Sequence, residues 1–245
     1  MKYGIIADIH SNLEALNAVK KVLSKENIDE LICSGDIVGY NADPVACVDF
    51  IKENKVISIK GNHDRLASGG DSGFNFNEVA HHAALWSRER LDSTRKSFLE
   101  SLPDERLIHK DILIVHGSPR DRDEYIFSLT EAQENIKYIE ANYPEVSIIF
   151  FSHTHIPAFF TKEKAETSFE KTRTIKLDKK ETFLINPGSI GQPRDGCPYA
   201  SFAIFDSEKM ELKIMRVKYD IEVAQRKIIQ AGLNQKLAMR LAFGI

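Results

Sequence analysis

Five short clusters carry the side chains able to do chemistry: Asp8-Ile9-His10, Gly35-Asp36, Gly61-Asn62-His63-Asp64, His116-Gly117 and His153-Thr154-His155. Setting His63 and Asp64 aside, they hold two aspartates, one asparagine and four histidines. Imidazole and carboxylate together suit borderline divalent cations such as Mn²⁺, Fe, Co²⁺, Ni²⁺ or Zn²⁺. No cysteine belongs to the set, which argues against a structural zinc site. Seven ligands overfill one tetrahedral ion but suit two ions that share a carboxylate. Two such ions ~3.5–4 Å apart can hold a hydroxide and clamp the oxygens of a phosphoryl group. Each cluster alone has a plainer reading: Gly35-Asp36 is turn chemistry, and Asp8-x-His10 could simply end a strand. The two histidines of His153-Thr154-His155, if the segment is extended, point to the same side.

The elements that precede these clusters give them their meaning. Lys2 to Ala7, Glu30 to Cys33, Lys55 to Ile59, Asp111 to Val115 and Val146 to Phe151 all read as short buried strands. Each of the five clusters follows one of them. In α/β sheets the carboxyl ends of neighbouring strands make one edge, where ligands bind. Between the first strands, Ser11-Asn12-Leu13-Glu14 offers a capping box for a helix with Leu13, Leu16, Val19 and Leu23 on one face. Asp43-Pro44 opens a second helix through Val48 and Ile51.

Residues 66–103 differ. A Gly/Ser/Asp-rich loop leads into helical sequence from Glu78 to Leu102, which reads as a mainly helical insertion over one sheet edge within a single domain spanning 1–245. A helix is expected over Thr130 to Asn142. From Ala158 the chain reads as consecutive strands, with Lys162 to Lys180 as an exposed hairpin arm, followed by Thr182 to Ile185, Ala200 to Asp206 and Leu212 to Val217. Helices from Ile221 onward complete the order, which fits two stacked sheets with helices outside.

Bulk properties narrow the class. The chain has 245 residues, a net charge of −3 and 42 % hydrophobic residues. That balance gives no reason to expect binding to nucleic acid or anionic membranes through bulk charge. No apolar run approaches the ~20 residues of a spanning helix, and no signal peptide is evident. Cys33, Cys47 and Cys197 read as reduced cysteines of a cytoplasmic protein.

Taken in order, "DIH", "GD", "GNHD", "HG" and "HTH" resemble the calcineurin-like metallophosphoesterase superfamily, and "NPGSIGQPRDG" (Asn186 to Gly196) extends the match. "DIHSNLEAL" and "GDIVGYNADP" resemble its small bacterial and archaeal phosphodiesterase branch, which includes diadenosine-polyphosphate hydrolases. The resemblance implies a four-layer αββα sandwich of two mixed β-sheets flanked by helices, and two divalent metal ions, with manganese placed first. It assigns Asp8, His10 and His155 to one ion, Asn62, His116 and His153 to the other, and Asp36 between them. It makes His63 the imidazole that meets the substrate and protonates the leaving oxygen, with Asp64 tuning His63. The implied activity is phosphodiester hydrolysis by bridging hydroxide on a nucleotide or other small phosphoester or polyphosphate. The alternatives are a phosphomonoesterase on small metabolites and a metal-binding scaffold without turnover. Ser152 stands where the family commonly has glycine. Gly39-Tyr40-Asn41 replaces the Asp-Arg-Gly of the protein phosphatase branch, which lowers the case for phosphoprotein substrates.

Other residues are candidates for lesser parts. Arg194 could meet a substrate phosphate, and Asn41 could line the pocket after Asp36. Asn186 to Ser189 reads as turn geometry supporting the site. His81, His82 and Trp86 read as surface and packing residues of the insertion. Homo-oligomerisation is left open by the apolar side chains of that segment.

Overall fold

Neighbouring isoleucines in the first strand face different cores. Ile5 packs with Tyr3, Phe150, Phe183 and Phe205, whereas Ile6 packs with Leu16, Val19, Val48 and Phe202. Successive strand side chains point to opposite faces, so a strand apolar at every position must be covered on both sides. The computed structural model, which describes residues 1–245, meets that demand with two sheets. One sheet runs in the order β3 (Ile57–Ser58), β2 (Glu30–Cys33), β1 (Lys2–Ile6), β11 (Ala200–Asp206), β12 (Glu211–Val217), β9 (Arg173–Lys176). The other runs β4 (Glu105–Ile108), β5 (Ile112–Val115), β6 (Ile148–Phe150), β10 (Phe183–Asn186), β7 (Ala158–Phe160), β8 (Ala165–Thr167).

Helices cover the outer faces. α1 (Leu13–Leu23), α2 (Pro44–Glu53) and α5 (Ser93–Ser101) bury Leu16, Val48, Ile51 and Leu99 on the first sheet. α6 (Leu129–Asn142) lays Ala132, Ile136 and Ile139 on the second. The four-layer αββα arrangement expected from the sequence is therefore the observed one. α4 (Glu78–Arg90), α7 (Ile221–Gln230) and α8 (Gln235–Phe243) form a further apolar cluster around Trp86, Ile228, Leu237 and Tyr40. No helix is long and apolar enough to cross a membrane.

Strand direction positions the site. β1, β2 and β3 are parallel to one another, as are β5, β6 and β10. The Asp/Asn/His clusters follow the carboxyl ends of β1, β2, β3, β5 and β6.

Several local expectations are corrected. Asn12, rather than Ser11, caps α1, because its side chain accepts from the Ala15 amide while Ser11 adopts a left-handed φ of 59°. Asn62–Ser68 is a helix, α3, that turn-like residues concealed. Glu105–Ile108 is a strand, its pattern obscured by three exposed residues at an edge. Lys162 to Lys180 is no hairpin arm: β8 pairs with β7 in one sheet, and β9 pairs with β12 in the other. The alternation at Thr174 to Leu177 does mark a strand, with Ile175 and Leu177 turned to the core between the sheets. The segment 66–103 is built into the helical layer, since Leu91, Leu99 and Leu102 join the same core as α1 and α2.

That shared core leads us to infer one cooperative unit over 1–245. Phe150→Ala, in the fully buried space between the sheets, should cost ~3–5 kcal/mol. Urea unfolding followed by Trp86 fluorescence, which reports the helical segment, should coincide with far-UV circular dichroism, and both midpoints should fall together in the variant. Two separated transitions would divide the chain instead.

Candidate metal centre

The five clusters meet. Ligand atoms of Asp8, His10, Asp36 and His155 lie within 4.8 Å of one another, and so do those of Asp36, His116 and His153. Asp36 belongs to both groups. Asn62 adjoins the second, its Oδ1 3.0 Å from His116 Nε2. Asp8, His10 and Asp36 come from loops of one sheet, Asn62 from the start of α3 after β3 of that sheet, and His116, His153 and His155 from loops of the other.

Hydrogen bonding fixes what these imidazoles present. His10 Nδ1 is 3.0 Å from the Val38 carbonyl oxygen, His155 Nδ1 is 2.7 Å from that of Gln192, and His116 Nδ1 is 2.9 Å from that of Ser34. A carbonyl only accepts, so each Nδ1 carries the hydrogen, and each neutral ring leaves a bare lone pair on Nε2. Yet His10 Nε2 faces His155 Nε2 at 3.0 Å, and His116 Nε2 faces Asn62 Oδ1 at 3.0 Å and Asp36 Oδ2 at 3.4 Å. Asp8 Oδ2 is buried without any partner. Acceptors turned against acceptors repel unless a cation lies among them, so the residues fit metal ions. Backbone carbonyls that orient ligating histidines are the usual outer layer of such sites.

The charges tell the same story with protons. Burial opposes ionisation of Asp36, yet the facing imidazoles of His116, His63 and His10 hold its carboxyl well below the usual range. Burial pushes the Asp8 carboxyl up to about 8, with Asp36 adding to the shift and His116 opposing it. Burial alone would lower His116, but Asp36 and then Asp8 raise it to about 9. Positive charge is drawn to the place where the two groups meet.

Aiming five ligands inward strains the chain. Asp8, His10, Asp36, His153 and His155 all take left-handed φ values, from 47° to 69°. Such backbones cost ~1–3 kcal/mol each and collect at functional sites, Asp and His tolerating them better than most residues. The Thr154 segment is consequently not extended, and its two histidines divide between the two groups instead of pointing one way. Gly61 matters for approach and not for a turn: its φ of −91° is ordinary, but a Cβ there would lie 2.1 Å from Asp36 Oδ1. At Gly39 both reasons apply, with φ at 104° and a Cβ position 2.3 Å from His63 Nδ1.

His63 lies beside the two groups and lines a cleft of about 300 Å³ with Tyr40, Phe76, Tyr125 and His153. Its ring packs between Tyr40 and Phe76, centroids 4.5 and 4.9 Å away. Its Nδ1 is buried and has no hydrogen-bond partner. Burial pushes the imidazole down to about 4, against the pull of Asp36.

Two residues stand differently from expectation. Asp64 makes no hydrogen bond to His63: its carboxylate accepts from the backbone amides of Gly61, Ile37 and Val38 and thereby ties α3 to the loop carrying Asp36. Asn41 does not line the cleft. It is 2 % exposed and donates to the carbonyl oxygens of His10 and, more weakly, Gly191. Arg194 does stand at the site, donating to Tyr40 Oη at 3.1 Å and Gln192 Oε1 at 3.2 Å, with no carboxylate in ion-pair range. The Asn186 to Gln192 loop braces the centre, as Ser189 Oγ and the Gly191 amide both donate to the Asp8 carbonyl. Ser152 needs no left-handed backbone, and its hydroxyl, 3.0 Å from His116 Nδ1, donates to the Ser34 carbonyl. Phe76 and Tyr125 escaped notice in the sequence, since isolated aromatics in polar loops carry no periodic signal.

Comparison with known proteins agrees with the geometry. A model of the calcineurin-like phosphoesterase superfamily domain matches residues 1–210, and the chain belongs to that superfamily. A metallophosphoesterase from Sphaerobacter thermophilus is 35 % identical, with a TM-score of 0.86 and full coverage of both chains. An uncharacterized protein of Methanocaldococcus jannaschii is 38 % identical over 98 % of this chain and 97 % of its own. A hypothetical protein from Pyrococcus horikoshii OT3, 21 % identical with a TM-score of 0.80 over 100 % of this chain and 98 % of that one, shares the fold.

Two substitutions test these placements. Gly61→Ala must displace Asp36 and should weaken manganese retention about 10–100-fold, measured as bound metal after dialysis, while circular dichroism stays unchanged. Asp64→Asn strands at least one buried amide and should cost ~1–3 kcal/mol of stability, read from urea unfolding. A changed pH–rate profile without a stability loss would restore a direct link from Asp64 to His63.

Proposed function

We propose that the centre hydrolyses phosphodiesters of small molecules, nucleotides among them, with Asp8, His10, Asp36, Asn62, His116, His153 and His155 holding two divalent cations, manganese first among them. The observation that carries this is the set of bare Nε2 and carboxylate acceptors converging around Asp36 beside a cleft lined by His63. Two bound cations would supply a nucleophile from water at neutral pH and neutralise the phosphoryl oxygens.

The chain's own residues do the rest. The Val38, Gln192 and Ser34 carbonyls keep three rings turned inward. Tyr40 and Phe76 hold His63 against the cleft wall. At neutral pH burial leaves His63 uncharged, but a phosphate anion beside it favours the protonated form. His63 then donates to the ester oxygen and passes its proton to the leaving group. Arg194 adds positive charge at the rim without a carboxylate to spend it on. A cleft of about 300 Å³ suits a small ester better than a folded protein.

The test is hydrolysis of bis-p-nitrophenyl phosphate by metal-stripped protein, with and without Mn²⁺, beside an alkyl diester. Turnover should depend on added metal. His63→Ala, at unchanged metal content, should lose ~10²–10⁴-fold on the alkyl ester and less on the p-nitrophenyl ester, whose leaving group needs no proton. Hydrolysis of monoesters alone would favour the phosphomonoesterase reading. Bound metal with no turnover of any ester would favour a scaffold.

A further inference from the structure

Three of the four imidazoles in the centre have one nitrogen bonded to a backbone carbonyl. His153 is the exception. It takes part in hydrogen bonding only through its backbone amide, 3.4 Å from Asp8 Oδ1, and its ring nitrogens have no hydrogen-bond partner in the protein. Aromatic faces hold that ring in place of polar atoms. Tyr125 stacks on it with centroids 4.1 Å apart and planes at 23°, and His116 leans against it at 4.9 Å.

Tyr125 is itself fixed. Its neighbour Ile126 is buried and packs with Ala132 and Ile136 of α6. Phe127 stacks on Tyr125 in turn, with centroids 5.5 Å apart and planes at 5°. On the other side in sequence, Asp123 pairs with Arg65, which lies in the same helix as Asn62 and His63. The loop is thereby tied to the helix that supplies Asn62 to the centre. Because the Tyr125 hydroxyl bonds to no protein atom and the residue is 44 % exposed, what it gives His153 is the face of its ring.

The two groups of acceptors are therefore unequal. Asp8, His10, Asp36 and His155 bring two carboxylates and two rings held by carbonyls. Asp36, His116 and His153, with Asn62 beside them, bring one shared carboxylate, a neutral amide oxygen and only one ring so held. An acceptor behind a ligating imidazole fixes the ring and raises its basicity. A stacked aromatic supplies the orientation without the basicity. We propose that Tyr125 is a positioning residue for His153, and that its ring face sets how tightly the second ion is held while leaving the first untouched. This rests on reading the seven residues as holders of two ions. The ion beside His153 then binds after the one beside His10 and His155, and is the first to leave.

Metal binding tests this without reference to turnover. Metal-stripped protein is titrated with Mn²⁺ and the free ion is followed by its electron paramagnetic resonance signal, which resolves a tighter and a weaker step. His153→Ala should remove the weaker step and so assign it. Tyr125→Ala should weaken that step about tenfold or more and leave the tighter one unchanged, with the same circular dichroism as the unaltered protein. Tyr125→Phe, which keeps the face and loses only the hydroxyl, should bind both ions as the unaltered protein does. Equal weakening of both steps in Tyr125→Ala, or of neither, overturns the proposal and leaves the two-ion reading standing. So does a Tyr125→Phe protein that behaves like Tyr125→Ala. Fewer than two ions taken up by the unaltered protein would instead sink the two-ion reading, and the proposal with it.

Discussion

Three backbone carbonyls govern what the centre can hold. By taking the Nδ1 hydrogens of His10, His155 and His116, the oxygens of Val38, Gln192 and Ser34 turn the His10 and His155 lone pairs toward each other and those of His10 and His116 toward Asp36. Within the protein only a proton, drawn to His116 by Asp36, eases that opposition. The rest of the architecture can be read as what is needed to keep it in place, because rings free to rotate would simply turn away. Each of those carbonyls sits in a loop that is pinned elsewhere: Val38 by the Asp64 carboxylate on its amide, Gln192 by Ser189, and Ser34 by the Ser152 hydroxyl.

Keeping the loops there is costly, and the cost is spread. Five left-handed backbones and acceptors turned against acceptors oppose folding locally. Two sheets with a continuous apolar layer between them, and helices outside, offset it. The residues of that layer, such as Ile5, Phe150, Phe183 and Phe205, pack between the sheets and allow five strand ends to finish at a common edge. Close approach does the remaining work. Gly61 against Asp36 and Gly39 against His63 show where even one methyl group would push a functional side chain aside.

Much of this was legible in the chain of letters because the relevant signals are local. Strand-like runs followed by Asp, Asn or His announce both the sheet and the edge where its chemistry gathers, and Ile6 or Leu16 show which faces are covered. What escaped depended on contacts between distant segments. Asp64 looks like a partner for His63 until the amides of Ile37 and Val38, from another loop, are seen to claim it. Asn41 follows a ligand but turns behind His10. The α3 helix begins with Asn62 and His63, which favour turns, and is stabilised by Asp64 closing back on Gly61. β8 and β9 look like two arms of one hairpin because pairing partners cannot be read from alternation. Tyr125 gains meaning only once β5 and β6 bring it beside His153.

The crossing between β8 and β9 has a mechanical consequence. The chain leaves the last strand of one sheet and enters the last strand of the other, a strap that resists sliding between the layers. The centre is stitched across the same gap, since each group of acceptors draws from both sheets. An ion seated there would act as a rivet through the sandwich, and prising the sheets apart would first have to tear its coordination. Folding and ion capture then become linked equilibria: at a free ion concentration of 100 times its dissociation constant, each rivet would add ~2.7 kcal/mol to the stability of the fold. The protein's resistance to heat would thus report the supply of metal around it.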